Sequence, residues 1–183
     1  MRLNDVIIVL SRPAEPGNVG AVCRAMKNMG LSRLRLAAPE LEGAPEALSE
    51  AGFGYGGKLA VIEARAVHAV DLWEKSETFD SLEAAVKDCS LVIGTTRRRG
   101  RRRKQVTMTP VETAAFLKDH PGPAALVFGN ERTGLEDDEL ELCNLASHIP
   151  ADEAFPSLNL STRYKYTLMN SFVLSHTPRE KPF

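Results

Sequence analysis

The sequence predicts an α/β fold, a parallel sheet flanked by helices, because short apolar runs alternate with helical patterns along the chain. The 183 residues are 43% hydrophobic. A chain of this size can bury one full core, and we expect a single domain over residues 1–183. The predicted strands are Val6–Leu10, Leu34–Ala38, Leu91–Gly94, Ala124–Phe128 and Ser147–Ile149.

Two helices are predicted from signals at their ends. The first covers Asn18–Met29, with its first residue as the N-cap and with Gly30 ending it. The second begins at a capping box, with Thr109 as N-cap and a proline in the first helical position, and runs to about Lys118. Residues 41–70 predict a helix on either side of a glycine-rich loop.

The cysteines and histidines are scattered, so neither a disulfide framework nor a metal site is predicted. We expect Cys23, Cys89 and Cys143 to be buried small apolar residues. No apolar run approaches the roughly 20 residues that a membrane span needs. The first apolar run is too short for a secretion signal, and we expect a cytoplasmic protein.

Positive charge is concentrated in one run. Seven of the eight residues from Arg97 to Lys104 are cations, in a chain with a formal net charge of -1. A nearly neutral chain has no overall attraction to polyanions, so a local patch must provide it. Neighbouring cations repel one another unless a polyanion is present, which favours phosphate binding over a solvated loop.

The loop FGNERTGL, residues 128–135, follows a predicted strand. Its two glycines are spaced unlike those of dinucleotide or P-loop patterns. Gly129 comes directly after the strand, where a ligand could approach bare backbone, and Glu131 adds a carboxylate. The alternative is a plain strand-to-helix turn in which Glu131 and Arg132 are solvated or paired with each other.

Polar residues also recur in IPADEAFPSLNLST, residues 149–162. Two prolines exclude a helix in the first part of this stretch, and a helix is predicted to start near Asn159. Ser157, Asn159 and Ser161 are spaced two apart. Their hydroxyl and amide groups could converge on one ligand, or they could cap the following helix.

Arg24 lies outside the apolar stripe of the first predicted helix. At 100° per residue, Val22 and Met26 share that stripe, whereas Arg24 falls on the other side with Gly20. A solvated arginine is the ordinary interpretation, and a catalytic or phosphate-binding role is the alternative. Gly20, one turn earlier, leaves room on that face for something to dock.

Three ordered stretches resemble the SPOUT superfamily of RNA methyltransferases, specifically its tRNA/rRNA ribose 2'-O-methyltransferase branch. They are PGNVGAVCRAMKNMGL (16–31), LVFGNERTGL (126–135) and IPADEAFPSLNLST (149–162); LVIGTTRRRGR (91–101) also matches. The resemblance implies an α/β knot, with a C-terminal trefoil knot and a cofactor-binding part over about residues 89–175. It also implies S-adenosylmethionine as cofactor and a homodimer whose site is completed across the interface.

The same resemblance assigns roles to individual residues. Arg24 and Ser157 would be catalytic, with Arg24 facing the cofactor of the other subunit. The cofactor would lie against Thr95, Thr96, Arg97, Gly129, Glu131, Ile149, Pro156, Ser157, Leu158 and Asn159. RNA would be bound by Asn18, Arg24, Arg98, Arg99, Arg101, Arg102, Arg103 and Lys104.

The implied activity is methylation of a ribose 2'-hydroxyl in tRNA, including the anticodon loop, or in rRNA. A guanidinium rarely gives up its proton, so we expect Arg24 to hold the phosphate beside the target ribose while Ser157 hydrogen-bonds the hydroxyl. Two alternatives are a knotted RNA-binding module without activity and a base N-methyltransferase. The second would need a carboxylate proton acceptor, for which Asp152 and Glu153 are candidates.

Overall fold

The computed structural model describes residues 5–41, 58–96 and 106–148, and the structural statements below concern these ranges. Their strands form one sheet in the order β3-β2-β1-β6-β4-β7-β5, and neighbouring strands are parallel throughout. The strands are β1 (Val6–Ser11), β2 (Arg33–Ala37), β3 (Glu77–Phe79), β4 (Leu91–Thr96), β5 (Val106–Met108), β6 (Ala124–Phe128) and β7 (Leu145–His148). The predicted parallel sheet is confirmed.

Helices cover both faces of this sheet. They are α1 (Pro16–Asn28), α2 (Lys58–Ala66), α3 (Val70–Glu74), α4 (Leu82–Val86), α5 (Pro110–Asp119) and α6 (Asp137–Glu141), with a 3-10 turn at Val67–Ala69. No helix in the described ranges is both long enough and apolar enough to cross a membrane.

The central strand β1 is buried along its whole length because each face of the sheet carries its own core. Ile8 packs into a cluster with residues of α1, α2 and α5. Ile7, on the opposite face, packs with Leu82 of α4 and with Cys143, which follows α6. Alternate residues of one strand therefore hold the two helical layers together.

The N-cap of α1 is Glu15, and the prediction of Asn18 as N-cap is wrong. Pro16 occupies the first helical position, where its missing N–H costs nothing, so the helix begins two residues before Asn18. At the other end Gly30 has a φ of 71°, and its N–H bonds back to the carbonyl of Lys27. The predicted end of the helix is thus confirmed.

Most ends of the remaining predicted elements lie within two residues of the ends that the structure shows. β6 has the predicted bounds, and α5 carries the predicted capping box at Thr109. β7 begins at Leu145, two residues before the predicted start, and its predicted end at Ile149 lies outside the described residues. α2 is one of the two helices predicted within residues 41–70, and the loop and the other helix fall on residues 42–57, which are not described.

Burial was predicted for all three cysteines and is confirmed for two. Cys23 and Cys143 are buried, and burial raises the pKa of each thiol to about 12. The prediction is wrong for Cys89, which is only half-buried because it lies in the connection between α4 and β4. Its pKa is raised as well, through partial burial and through the nearby carboxylate of Asp88.

A buried arginine ties β2 to α4. Arg35 is 4% exposed, and its Nη1 donates to Oδ1 of Asp88 at 2.5 Å and to the carbonyl of Ala85 at 2.7 Å. Its Nη2 donates to the second carboxylate oxygen of Asp88 at 2.8 Å. These hydrogen bonds from Arg35 lower the pKa of Asp88 to about 2, against an ordinary value of 3.8.

Acid should therefore remove part of the stability of the fold through Asp88. Its pKa is lower in the folded protein than in the unfolded chain, so its contribution is present above an ordinary carboxyl pKa and is lost as the pH falls from about 4 towards 2. Asp88→Asn should flatten this part of the stability profile, measured by urea unfolding at pH 6 and pH 3. Asp80→Asn, at an exposed carboxylate, serves as the control and should keep the profile of the parent. An Asp88→Asn protein that loses as much stability as the parent over this pH range would contradict the expectation.

Candidate active site

Several of the predicted site residues meet where neighbouring strands end. Thr95 and Thr96 end β4, and Gly129 directly follows the adjacent strand β6. The hydroxyl of Thr95 donates to the carbonyl of Val127 at 3.0 Å, and Nδ1 of His148 lies 3.2 Å from the carbonyl oxygen of Thr96. Ligands of parallel sheets bind at the carboxyl ends of strands, so this edge is the expected place for a site.

Twelve of the predicted site residues fall outside the described residues. They are Arg97, Arg98, Arg99, Arg101, Arg102, Arg103, Lys104, Ile149, Pro156, Ser157, Leu158 and Asn159. Their roles, and the predicted knot in the C-terminal part of the chain, stay predictions.

Gly129 is buried by its own loop. A Cβ built on Gly129 would lie 2.2 Å from the carbonyl carbon of Gly134 and 2.2 Å from the nitrogen of Leu135. The loop folds back here because Asn130 bridges to Gly134, which has a φ of 77°. The Cβ side of Gly129 is thus filled by its own loop, and loop closure requires glycine there. The predicted approach of a ligand to the backbone of Gly129 stays a prediction.

Glu131 joins this loop to the start of α1. Its carboxylate accepts hydrogen bonds from the backbone N–H of Ala14 at 3.1 Å, from that of Glu15 at 3.3 Å and from Nδ2 of Asn18 at 3.3 Å. The N-cap Glu15 makes no side-chain cap of its own. A carboxylate from a distant loop therefore satisfies N–H groups at the positive end of the helix. Asn18, predicted to bind RNA, here points its amide at Glu131.

Removal of the Glu131 carboxylate should weaken the junction between the loop and α1. Glu131→Ala should lower the free energy of unfolding by about 1–2 kcal/mol, because the N–H groups that it satisfies lose their acceptor. Urea unfolding measures this loss. Glu15→Ala is the matched control, since that side chain makes no cap hydrogen bond, and it should stay within about 0.5 kcal/mol of the parent. Equal losses in the two variants would refute this role of Glu131.

A second junction, which sequence reasoning missed, centres on Arg12 directly after β1. Arg12 has a φ of 49°, and its Nη2 donates to Glu139 at 2.9 Å while Nη1 donates to Glu136 at 2.8 Å. The hydroxyl of Ser11 also donates to Glu139, and the carbonyl of Arg12 accepts from Nδ2 of Asn130 at 2.8 Å. A charged residue directly after a buried strand is the signal that could have revealed this cluster.

The carboxylate of Glu139 stays ionised in this cluster. Burial alone would raise its pKa, but the hydrogen bonds from Arg12 and Ser11 outweigh burial, and the pKa is lowered. The same hydrogen bond from Arg12 to Glu139 raises the pKa of the guanidinium. Opposite charges therefore hold α6 and the loop after β6 against the end of β1.

Arg24 projects from α1 into solvent, as its position on the helix predicts. Within the described ranges it makes no hydrogen bond or ion pair. The prediction that Gly20 leaves room for a partner needs correction, because α2 of the same chain fills the space. A Cβ on Gly20 would lie 2.3 Å from the carbonyl oxygen of Ile62 and 2.8 Å from Cβ of Arg65.

The described residues at the edge of the sheet offer hydroxyls and backbone groups, and Arg24 lies with an exposed side chain on α1. Within the described ranges, no three His, Cys, Asp or Glu side chains are grouped so that they could hold a metal ion. Glu131 and Glu139 are both engaged in holding elements together. The chemistry that this arrangement favours is the binding and alignment of reactants, with Arg24 available to an anionic group.

Comparisons with known proteins identify the family. The model of the family described as "SpoU rRNA Methylase family" matches residues 5–165. The chain is 40% identical over 162 residues to tRNA (cytidine/uridine/adenosine-2'-O-)-methyltransferase TrmJ of Pseudomonas aeruginosa, covering 87% of this chain but only 57% of that relative. The chain thus spans less than two thirds of the relative's length.

Solved structures show the same fold. TrmJ from Z. mobilis ZM4 superposes with a TM-score of 0.77 at 29% identity, covering 96% of this chain and 72% of that one. AviRb from Streptomyces viridochromogenes, a SpoU methyltransferase in complex with the cofactor AdoMet, superposes with a TM-score of 0.63 at 20% identity. That match covers 98% of this chain and 61% of AviRb, and it is a likeness of fold. On the extent of the family match, the chain belongs to the SpoU rRNA Methylase family.

Proposed function

We propose that the protein is an S-adenosylmethionine-dependent methyltransferase that acts on a ribose 2'-hydroxyl of tRNA. The observation that carries the proposal is the junction through Glu131, which holds the loop after β6 against the helix that presents Arg24. Family membership supports methyl transfer, and the TrmJ relative is named for 2'-O-methylation of tRNA. An rRNA substrate is the second candidate, since the family itself is named for rRNA.

The described residues at the edge of the sheet fit the cofactor. Thr95 and Thr96 are half-buried and uncharged, and hydroxyls beside backbone groups suit the hydrogen-bonding groups of a nucleoside. We expect these threonines and the backbone after β6 to hold it, together with Ile149 and residues 156–159. S-adenosylmethionine supplies a methyl group that its sulfonium has already activated. The related AviRb structure contains this cofactor, which supports the assignment.

In this mechanism the protein aligns the reactants. The guanidinium of Arg24 acts as a cation that holds the phosphate beside the target ribose and polarises the 2'-oxygen. Ser157 donates to or accepts from the same hydroxyl and sets its angle. Positioning of this kind accounts for much of the barrier lowering in reactions whose leaving group is already activated.

The exposed position of Arg24 supports a proposed assembly. Its side chain projects into solvent from α1, and within the described ranges no residue pairs with it. We propose that a second copy of the chain brings its cofactor to this arginine, so that a homodimer completes the site. The cations of residues 97–104 follow Thr96 and would hold RNA phosphates near the edge. The proposed location is the cytoplasm, because the proposed substrate, tRNA, is found there.

The test is transfer of a labelled methyl group. The full chain is incubated with methyl-labelled S-adenosylmethionine and bulk tRNA or rRNA, and the labelled nucleotide is located. Label at a ribose 2'-oxygen protects the adjacent phosphodiester from alkali, because a methylated oxygen cannot attack its own phosphate. Label that leaves the bond open to alkali would indicate base methylation instead. Tight RNA binding without label, and without binding of S-adenosylmethionine in a titration, would indicate an RNA-binding module.

A further inference from the structure

We propose that Arg65 of α2 is a second phosphate-binding residue that extends the RNA surface of Arg24. The inference rests on the proposed function, since it supposes that RNA lies along α1. It concerns a residue outside the three stretches that carry the family resemblance. Its basis is the packing of α2 on α1, the exposure of Arg65 and the partners of the neighbouring cations.

The packing of α2 on α1 is close at Gly20, where a side chain on α1 would clash with α2. Gly17 and Gly20 lie on one side of α1, and Arg24 follows on the same side at helical spacing. A Cβ on Gly20 would lie 2.8 Å from Cβ of Arg65 and 3.0 Å from the nitrogen of Ala66. Only glycine at position 20 admits α2 at this distance, so Gly20 fixes where Arg65 lies.

The side chain of Arg65 then runs along the first turn of α1. The position of a Cβ on Gly17 is 3.7 Å from Cγ of Arg65 and 4.0 Å from its Nε. The aliphatic part of the arginine thus rests on the glycine surface while the residue as a whole is exposed. A stem packed in this way directs the guanidinium before any ligand arrives, which lowers the entropy cost of binding.

Arg65 also differs in its partners from three other cations of the described ranges. Lys27 of α1 pairs with Asp71 at 2.5 Å, and Arg12 and Arg35 each pair with two carboxylates. Within the described ranges, the side chain of Arg65 forms no ion pair or hydrogen bond, and the same holds for the side chain of Arg24. These two guanidinium groups are therefore available to an external anion.

The spacing of the two arginines suits one RNA strand. Gly17, beneath the guanidinium of Arg65, and Arg24 are seven residues apart on α1, which is about 10 Å along the helix axis. Two like charges that lie near each other without acidic partners gain from a bound polyanion. Arg65 would hold a phosphate next to the one held by Arg24, and so set the path of the strand across α1.

The test compares Arg65→Gln with Lys87→Gln in the full chain. Lys87 is an equally exposed cation at the end of α4, which packs on the opposite face of the sheet. Binding of fluorescently labelled bulk tRNA is measured at 50, 100 and 200 mM KCl. We expect Arg65→Gln to weaken binding about 3- to 10-fold at 100 mM and to reduce the slope of log K against log salt by about 1.

The other outcomes are equally definite. Lys87→Gln should bind like the parent, and Arg65→Lys should retain most of the salt slope because it keeps the charge. Arg65→Gln should bind S-adenosylmethionine like the parent, which shows that its fold is intact. Parent-like RNA binding by Arg65→Gln, or an equal loss in Lys87→Gln, would overturn the inference alone. A parent protein that binds no RNA would overturn the proposed function instead.

Discussion

Arg24→Ala should lower the single-turnover rate of methyl transfer at least about 100-fold, a loss typical of a group that stabilises charge at the reacting centre. The affinity for S-adenosylmethionine should stay within about twofold of the parent, because the proposed partner of Arg24 is the RNA phosphate and not the cofactor. The rate is measured with labelled cofactor and bulk tRNA, and the affinity by isothermal titration calorimetry.

Two further variants separate charge from geometry. Arg24→Lys keeps the cation but loses the planar fork, so we expect a rate between those of the parent and the alanine variant. Asn28→Ala, at an exposed position of the same helix, should leave the rate unchanged. An Arg24→Ala protein that retains a tenth or more of the parent rate would show that the catalytic role belongs to another residue.

Arg12→Ala should lower the free energy of unfolding by about 3 kcal/mol, more than any other single change proposed for this protein. The side chains of Arg12 and Glu139 are 19% and 10% exposed, and removal of Arg12 leaves the largely buried carboxylate of Glu139 without its opposite charge. The loop after β6 also loses the hydrogen bond from Arg12 to the carbonyl of Gly134. Urea unfolding at neutral pH measures the effect.

The matched control lies in the same cluster. Glu136 pairs with the same arginine but is 53% exposed, so Glu136→Gln should cost less than about 1 kcal/mol. The double variant Arg12→Met/Glu139→Gln should be less destabilised than the sum of its single changes, because it leaves no isolated buried charge. Equal losses for Arg12→Ala and Glu136→Gln would exclude a stabilising buried pair.

Sequence patterns predict the central strands well because these strands are continuous apolar runs. Val6–Ser11 and Ala124–Phe128 are buried throughout, which is the pattern that a strand covered on both faces must have. The edge strands Glu77–Phe79 and Val106–Met108 have three residues each and are largely exposed, so no apolar run marks them. Four of the five residues of Asp137–Glu141 are acidic, so no apolar run marks this short helix either.

The candidate site was less accessible to sequence reasoning because its junctions join distant parts of the chain. Asn18 is a residue type favoured at N-caps. The hydrogen-bond acceptor at that helix end is instead Glu131, 113 positions away. The glycine at position 20 indicates that something packs closely on that face of α1. Only the structure shows that the packed element is α2 of the same chain. The outward direction of Arg24 followed from helical periodicity alone, whereas its proposed role came from the resemblance.

The position of β1 in the sheet also bears on synthesis of the protein. One edge of β1 pairs with β6, and the junction beyond it joins Arg12 to Asn130, 118 positions later. At roughly 5–20 residues per second, a ribosome needs about 6–24 s to deliver the missing neighbour. During that interval the nascent chain carries an apolar strand with one open edge, a template for aggregation that makes early chaperone binding advantageous.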